Sequence, residues 1–237
     1  MLIAKADYVT KKTMIAENLK AVTQRISRSC DKSGRPKDAV KLVCVTKEAT
    51  LSEIEEVLAL GVKDIGENRV QDALVKYKAI GNRAIWHLIG HLQTNKVKDA
   101  VKIFSLIHSV DSVRLAREID AQAKRIDKIQ DILIQVNASG EASKFGVAPD
   151  EASKLFKEVA LSPNISISGL MTIAPEVDDP EKARPCFRKL REIGEMLAEI
   201  LDTRYEIRDL SMGMTNDFEV AIEEGSTMVR VGRAIFK

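Results

Sequence analysis

Eight short apolar runs, rich in β-branched residues and each too short for an ordinary helix, alternate strictly with segments of helical periodicity. The runs lie at 41–47, 63–68, 84–89, 103–110, 131–137, 165–173, 208–212 and 227–231. Between them, helices are expected over about 50–60, 69–80, 94–101, from Asp111 or Ser112 onward, and over about 149–161, 180–201 and 216–224. Thr50-Leu51-Ser52-Glu53 has the form of a capping box, and Gly61 and Gly81 are natural stops. Strands joined by crossover helices pair in parallel, and eight such units predict a closed (β/α)₈ TIM barrel. An open doubly wound sheet is the alternative, but it seldom needs eight such regular units.

About six residues follow the eighth run, too few for an eighth outer helix. An extra N-terminal helix over about 9–30, with Met14, Ile15, Leu19, Val22 and Ile26 on one face, is the expected cover for the seam between last and first strands. No linker or low-complexity stretch interrupts the pattern, so 1–237 reads as a single domain. With 45% hydrophobic residues in 237, the core is large enough to need neither disulfide nor structural metal.

Composition narrows the class of function. Cys30, Cys44 and Cys186 are odd in number and irregular in spacing, which suggests a reducing, cytoplasmic setting. There is no signal-peptide pattern and no apolar run of membrane-spanning length, so no membrane is expected. A net charge of +2, from 37 basic and 35 acidic residues, lacks the basic excess that nucleic-acid binding usually leaves.

In a barrel of this kind the chemistry sits at the C-terminal ends of the strands. Here that rim would carry Lys47, Glu67, Asn68, His87 to His91, Ser109 to Asp111, Asn137, Thr172, the segment 211–216 and Arg230 to Arg233. Lys47 ends an apolar strand. With its stem in apolar surroundings its amine would lose solvation, and a neutral amine is the nucleophile that forms a Schiff base. Ser211-Met212-Gly213 follows the seventh strand and Gly232-Arg233 the eighth, the loops that commonly cradle phosphate. A phosphate site and a strand-end lysine on one rim suggest a phosphorylated aldehyde. It would be either pyridoxal 5'-phosphate or the sugar phosphate of a class I aldolase. Arg230 beside the phosphate loop favours the former, since a guanidinium can face the pyridine nitrogen and keep it unprotonated.

Other residues carry plainer readings. His87 and His91 stand four apart, but across a strand end, and no further ligands accompany them, so no metal site is expected. Glu67 and Asp111 form an unsupported acid/base pair, Cys44 is core, and Met212 and Met214 are packing residues. Lys144 is a loop lysine.

The segments GENRVQ (66–71), WHLIGHLQTNK (86–96), SVDS (109–112), EASKFG (141–146), GLMTIAP (169–175), SMGMTNDF (211–218) and VRVGRAIF (229–236) together resemble the YggS/PROSC family, the pyridoxal phosphate homeostasis proteins. The resemblance runs from residue 41 onward, in order. It implies an alanine racemase N-terminal domain-like barrel without the racemase's second domain. It further implies that Lys47 carries pyridoxal 5'-phosphate as a Schiff base, Ser211 binds the phosphate and Arg230 faces the pyridine nitrogen. Gly232 and Arg233 would supply backbone phosphate contacts, and Asn68 a polar contact. Arg233 stands where many relatives have a smaller residue.

Two functions follow from the resemblance. One is a protein that buffers or delivers the cofactor, with cofactor-dependent apoenzymes as recipients. The other is a cofactor-dependent amino-acid racemase. Racemisation by two bases needs a second base opposite the lysine, a tyrosine from the missing domain in the racemases. Tyr8, Tyr77 and Tyr205 are the tyrosines here, and none is expected on the rim, which favours binding over catalysis. A monomer is the default expectation.

Overall fold

The computed structural model describes residues 2–141, 144–200 and 207–237, with the backbone alone for residues 2–13 and 200. Ala142, Ser143, Leu201 and Tyr205, on which expectations fell, lie outside the described residues, and Tyr8 is described only through its backbone.

The strands are β1 (Lys41–Val45), β2 (Asp64–Glu67), β3 (Ile85–Leu88), β4 (Leu106–Val110), β5 (Gln130–Gln135), β6 (Ile165–Met171), β7 (Asp209–Ser211) and β8 (Met228–Val231). They form a closed parallel barrel in chain order. The β8–β1 seam is closed by the register Val43↔Arg230 and Cys44↔Val231. The expected (β/α)₈ architecture therefore holds.

The helices are α1 (Leu2–Lys32), α2 (Leu51–Ala59), α3 (Val70–Ile80), α4 (Val97–Ile103), α5 (Val113–Lys124), α6 (Ala152–Val159), α7 (Arg184–Ile200), α8 (Phe218–Glu223) and α9 (Arg233–Phe236). Each of the helices expected from 94, 149 and 180 starts with a 3-10 turn before becoming α-helical. The expected fourth strand began too early. Ile103 ends α4, and the Phe104 N–H still bonds the Ala100 carbonyl at 3.0 Å, so β4 starts only at Leu106. An unbroken apolar stretch does not mark where a buried helix hands over to a buried strand.

The capping box is present. The Thr50 N–H donates to Glu53 Oε2 at 2.7 Å and the Glu53 N–H to Thr50 Oγ1 at 3.3 Å. Thr50→Ala is expected to lower stability by about 1 kcal/mol, because it orphans a helix N–H. Urea unfolding curves with parallel slopes would read this out, and an unchanged midpoint would contradict it.

Helix α1 packs on α2, α8 and α9, with Ile15, Leu19, Val22, Ile26 and Cys30 buried. Met14, expected on that face, is 36% exposed, so the buried stripe begins at Ile15. Polar contacts fix the docking. Arg25 pairs with the Glu219 carboxylate at 2.8 Å and lies over the Phe218 ring, and Asn18 Nδ2 donates to the Ile235 carbonyl. α1 thus covers the seam as expected.

The main core fills the space between strands and helices, where Trp86, Phe104, Phe156, Phe187 and Phe218 are almost wholly buried. Inside the barrel, Leu106, Leu133, Met171 and Met228 form one apolar layer. The rest of the interior is mixed: the buried polar side chains His87, His108, Ser211 and Arg230 share it with the apolar Val43 and Ile89.

Candidate functional site

The C-terminal ends of the strands surround a cavity of about 440 Å³, lined among others by Lys47, Asn68, His91, Phe145, Met214, Thr215, Arg230, Gly232 and Arg233. This is an ordinary size for a small-molecule site. Five of the six expected site residues meet there: Lys47, Asn68, Arg230, Gly232 and Arg233. Ser211 does not.

Lys47 stands two residues beyond β1, in a turn closed by the Ala49 N–H to the Thr46 carbonyl. Its side chain is 46% exposed, with Glu48 Oε1 at 3.9 Å. The expected apolar, desolvated surroundings are therefore absent, because the lysine sits at the open mouth of the cavity. What is buried is the residue before it. Thr46 Oγ1 donates to Glu67 Oε1 at 2.6 Å, and Lys76 Nζ bonds both that oxygen (2.8 Å) and the Thr46 carbonyl (2.6 Å). Glu67 thus points outward to α3. Asp111 instead lies by His91, with 3.8 Å between Asp111 Oδ2 and the ring nitrogen, so Glu67 and Asp111 make no acid/base pair. Burial raises the Asp111 carboxyl above its ordinary value, and His91 opposes that rise.

Ser211 ends β7 fully buried below the cavity. Its Oγ lies 2.9 Å from His108 Nδ1 and accepts from Arg230 Nη1 at 2.6 Å. Engaged in this way, Ser211 lies below the cavity rather than on its wall, apart from the other residues expected to hold the phosphate. The chain then turns at Gly213, whose φ of 93° lies in the left-handed region, and the Met214 N–H is tied to Asp217 Oδ1 at 2.6 Å. That turn lifts Met214 and Thr215 to the cavity wall. The hydroxyl available on this loop is therefore Thr215. Met212, by contrast, is core.

Gly232 was expected to let backbone approach an anion. Its immediate necessity is closer at hand, since a Cβ there would meet the Val45 carbonyl oxygen at 2.8 Å and Val45 Cβ at 3.0 Å. The absence of a side chain lets the end of β8 lie against the end of β1, which brings the Gly232–Arg233 backbone beside the turn that carries Lys47. Arg233 itself is exposed at the rim.

Arg230 is buried at the cavity floor. Besides Ser211, it donates from Nη2 to the Thr172 carbonyl at 2.8 Å. Burial pulls its guanidinium down to about 10, while Asp217 pulls it up, so it remains a cation at neutral pH. Arginine only donates, so whatever faces it from the cavity must accept.

His87 and His91 diverge. His87 points into the barrel toward His108 (2.9 Å) and Asp64 (2.9 Å), while His91 is on the rim, stacked on Phe145 with centroids 4.0 Å apart. Phe145 is 57% exposed and spans the mouth from the β5–α6 loop. Lys144, its neighbour, donates to the Ala174 carbonyl at 2.9 Å and so ties that loop down. Sequence reading missed Phe145 and His108, and placed Thr215 on the rim without a role in binding. For the first, an aromatic in an otherwise polar rim loop was the available signal. Cys44 is core as expected, its thiol pushed up to about 12 by burial.

The alanine racemase N-terminal domain family matches residues 17–237. The pyridoxal phosphate homeostasis protein of Aquifex aeolicus (strain VF5) is 44% identical over 93% of this chain and 96% of its own. The protein of that name from Escherichia coli (strain K12) is 37% identical over 94% and 95%. Among solved structures, PipY of Synechococcus elongatus PCC7942 with PLP bound superposes with a TM-score of 0.81 at 31% identity, covering 94% of this chain and all of that one. An alanine racemase of Clostridium difficile 630 shares the fold at 14% identity and TM-score 0.75, and this chain covers 56% of it. On barrel, rim and relatives together, the chain belongs to the pyridoxal phosphate homeostasis protein family, built on the alanine racemase N-terminal domain.

Proposed function

We propose that this chain binds pyridoxal 5'-phosphate in the rim cavity and serves its homeostasis, holding the aldehyde as a Schiff base on Lys47. The observation that carries the reading is convergence: an amine, a donor-only guanidinium and a hydroxyl-bearing backbone loop line one cavity of about 440 Å³. The donor set fits the group. Lys47 supplies the amine, Arg230 a donor for an unprotonated ring nitrogen, and Thr215 with the Gly232–Arg233 backbone the phosphate cradle, in place of Ser211. Asn68 adds a polar contact on the β2 side. When bound, the cofactor supplies an aldehyde that condenses with amines and a ring that withdraws electrons. A neutral ring nitrogen against Arg230 weakens that withdrawal, which suits holding the cofactor better than activating a substrate.

The reading extends to a monomer in the cytoplasm that hands the cofactor to apoenzymes. Three unpaired cysteines support a reducing compartment. No helix among the described residues is long and apolar enough to cross a membrane.

Borohydride reduction of the cofactor-loaded protein, followed by peptide mapping, is expected to place the adduct on Lys47, and Lys47→Ala to abolish the visible absorbance. An adduct confined to Lys144 or another lysine would overturn the assignment. Racemase-like chemistry is the second reading, favoured by His91, a titratable ring that lines the cavity with Asp111 beside it. Tyr77 does not serve, since its ring packs on Trp86 and its hydroxyl donates to Asn82. Incubation with D- and L-amino acids in heavy water separates the two readings. Cα exchange at catalytic rates, lost in His91→Phe, would replace the carrier reading with the enzyme one.

A further inference from the structure

A continuous line of buried polar groups crosses the barrel beneath the cavity. Asp64 opens β2 at the N-terminal end of the barrel, 15% exposed, with Lys41 Nζ 3.8 Å from its Oδ1. Asp64 Oδ1 is 2.9 Å from His87 Nε2, His87 Nδ1 is 2.9 Å from His108 Nε2, and His108 Nδ1 is 2.9 Å from Ser211 Oγ. Arg230 Nη1 completes the line at 2.6 Å. His87 is 1% exposed, and His108 and Ser211 are wholly buried. A barrel interior is ordinarily filled by branched apolar side chains. Here five strands contribute to one polar chain, whose members would be costly to bury unless each were satisfied.

The two ends dictate the direction of every bond between them. Arg230 only donates, so Ser211 Oγ accepts from it and the serine's own hydrogen goes to His108 Nδ1. His108 then carries its proton on Nε2 and donates to His87 Nδ1, and His87 carries its proton on Nε2 and donates to the Asp64 carboxylate. Both rings are neutral in this arrangement, and every hydrogen has an acceptor. The reverse direction would make His87 a cation donating to His108 and His108 a donor to Ser211. The serine hydrogen would then be stranded, because among the described residues its oxygen bonds only His108 and Arg230. Stranding a buried donor is what folded proteins avoid.

We propose that Asp64, His87 and His108 form a polarised hydrogen-bond relay that holds Ser211 as an acceptor and thereby fixes Arg230 as the donor facing the ring nitrogen of the bound cofactor. His108 is a positioning residue: it touches no cofactor and acts through Ser211 and Arg230. The second half of this inference rests on the cavity being a pyridoxal phosphate site, whereas the relay's direction does not. Burial above all, with the positive charges of Arg230 and Lys41, holds the His108 imidazole well below its ordinary value, in keeping with a neutral ring.

The chain has three histidines, so their ring nitrogens can be resolved by ¹⁵N NMR of the cofactor-free protein, with His91 as the exposed comparison. The expected result at neutral pH is two neutral rings protonated on Nε2 alone, His87 and His108. A His87 ring carrying both protons, or a His108 ring protonated on Nδ1, overturns the relay, and this arm needs no variant. The second arm uses cofactor labelled with ¹⁵N at the ring nitrogen. His108→Leu is expected to shift that resonance and weaken binding about tenfold or more. His108→Gln, which can accept from Ser211 while donating to His87, is expected to restore both. Wild-type protein that binds no cofactor would sink the site reading and leave the relay's direction standing. Wild type and His108→Leu binding alike, with the ring resonance unmoved, would sink the positioning role.

Discussion

Glu67→Ala is expected to cost about 3–5 kcal/mol of stability, the usual penalty for leaving a buried charge without its partner. Lys76 Nζ lies 2.8 Å from Glu67 Oε1, and the two side chains are 13% and 0% exposed. Removing the carboxylate strands the ammonium against the Thr46 carbonyl and takes away the acceptor of the Thr46 hydroxyl. The pair is imperfect, for Glu67 Oε2 is buried with no hydrogen-bond partner among the described residues. An apolar replacement of both, Glu67→Leu with Lys76→Met, should therefore recover most of the loss. Urea unfolding of the two single variants and the double reads this out. A cost below about 1 kcal/mol for Glu67→Ala would mean that water reaches Lys76 and that the pair is a surface bridge. Because the pair grips the carbonyl one residue before Lys47, the single variant should also loosen cofactor retention at temperatures where it remains folded.

The barrel was legible because its evidence is periodic. Alternating runs of two kinds constrain topology strongly, and even the covering role of α1 followed from counting outer helices. The misreadings fall where periodicity has nothing to say. Met14 and Ile15 are both apolar neighbours, and only the angle at which α1 docks on α8 decides that the first is exposed. Ile103 was assigned to a strand since helix and strand ends are equally apolar there. The 3-10 turns before α4, α6 and α7 are local hydrogen-bond choices within segments otherwise read as helix.

At the site, position on the rim was legible and depth was not. Lys47, Asn68, Arg230, Gly232 and Arg233 reached the cavity because strand ends and the loops after them face one side of any such barrel. Ser211 and Thr215 are four residues apart on one loop, and the positive φ at Gly213 decides which of them faces the cavity and which the interior. Likewise His108 sits within an apolar strand and reads as a core histidine. Its meaning appears only when β2, β3, β4 and β7 are curled into a barrel that links Asp64 to His87, His87 to His108 and His108 to Ser211, across about 150 residues of sequence.

Acid should reveal the cost of keeping that interior histidine neutral. In the unfolded chain His108 takes a proton near its ordinary value of 6.5, whereas in the fold it refuses one until far lower pH. Below pH 6.5 the unfolded state therefore binds a proton that the folded state does not, and stability falls as pH falls. Between pH 7 and pH 5 this single site amounts to at most about 2 kcal/mol. The charged and titratable groups facing the ring are His87 from β3, Lys41 from β1 and Arg230 from β8, and the last two, as cations, disfavour a further positive charge there. Burial raises Asp111, Asp209 and Asp217, which works in the opposite direction, since the folded state takes those protons first and gains stability as pH falls through their raised values. The comparison that isolates His108 is therefore between wild type and His108→Gln, which carries the same carboxylates. Urea unfolding at pH 7 and pH 5 should show wild type losing more than the variant, by up to about 2 kcal/mol. Equal losses would mean that the His108 ring accepts a proton inside the folded barrel, and the neutral, one-directional relay could not then stand.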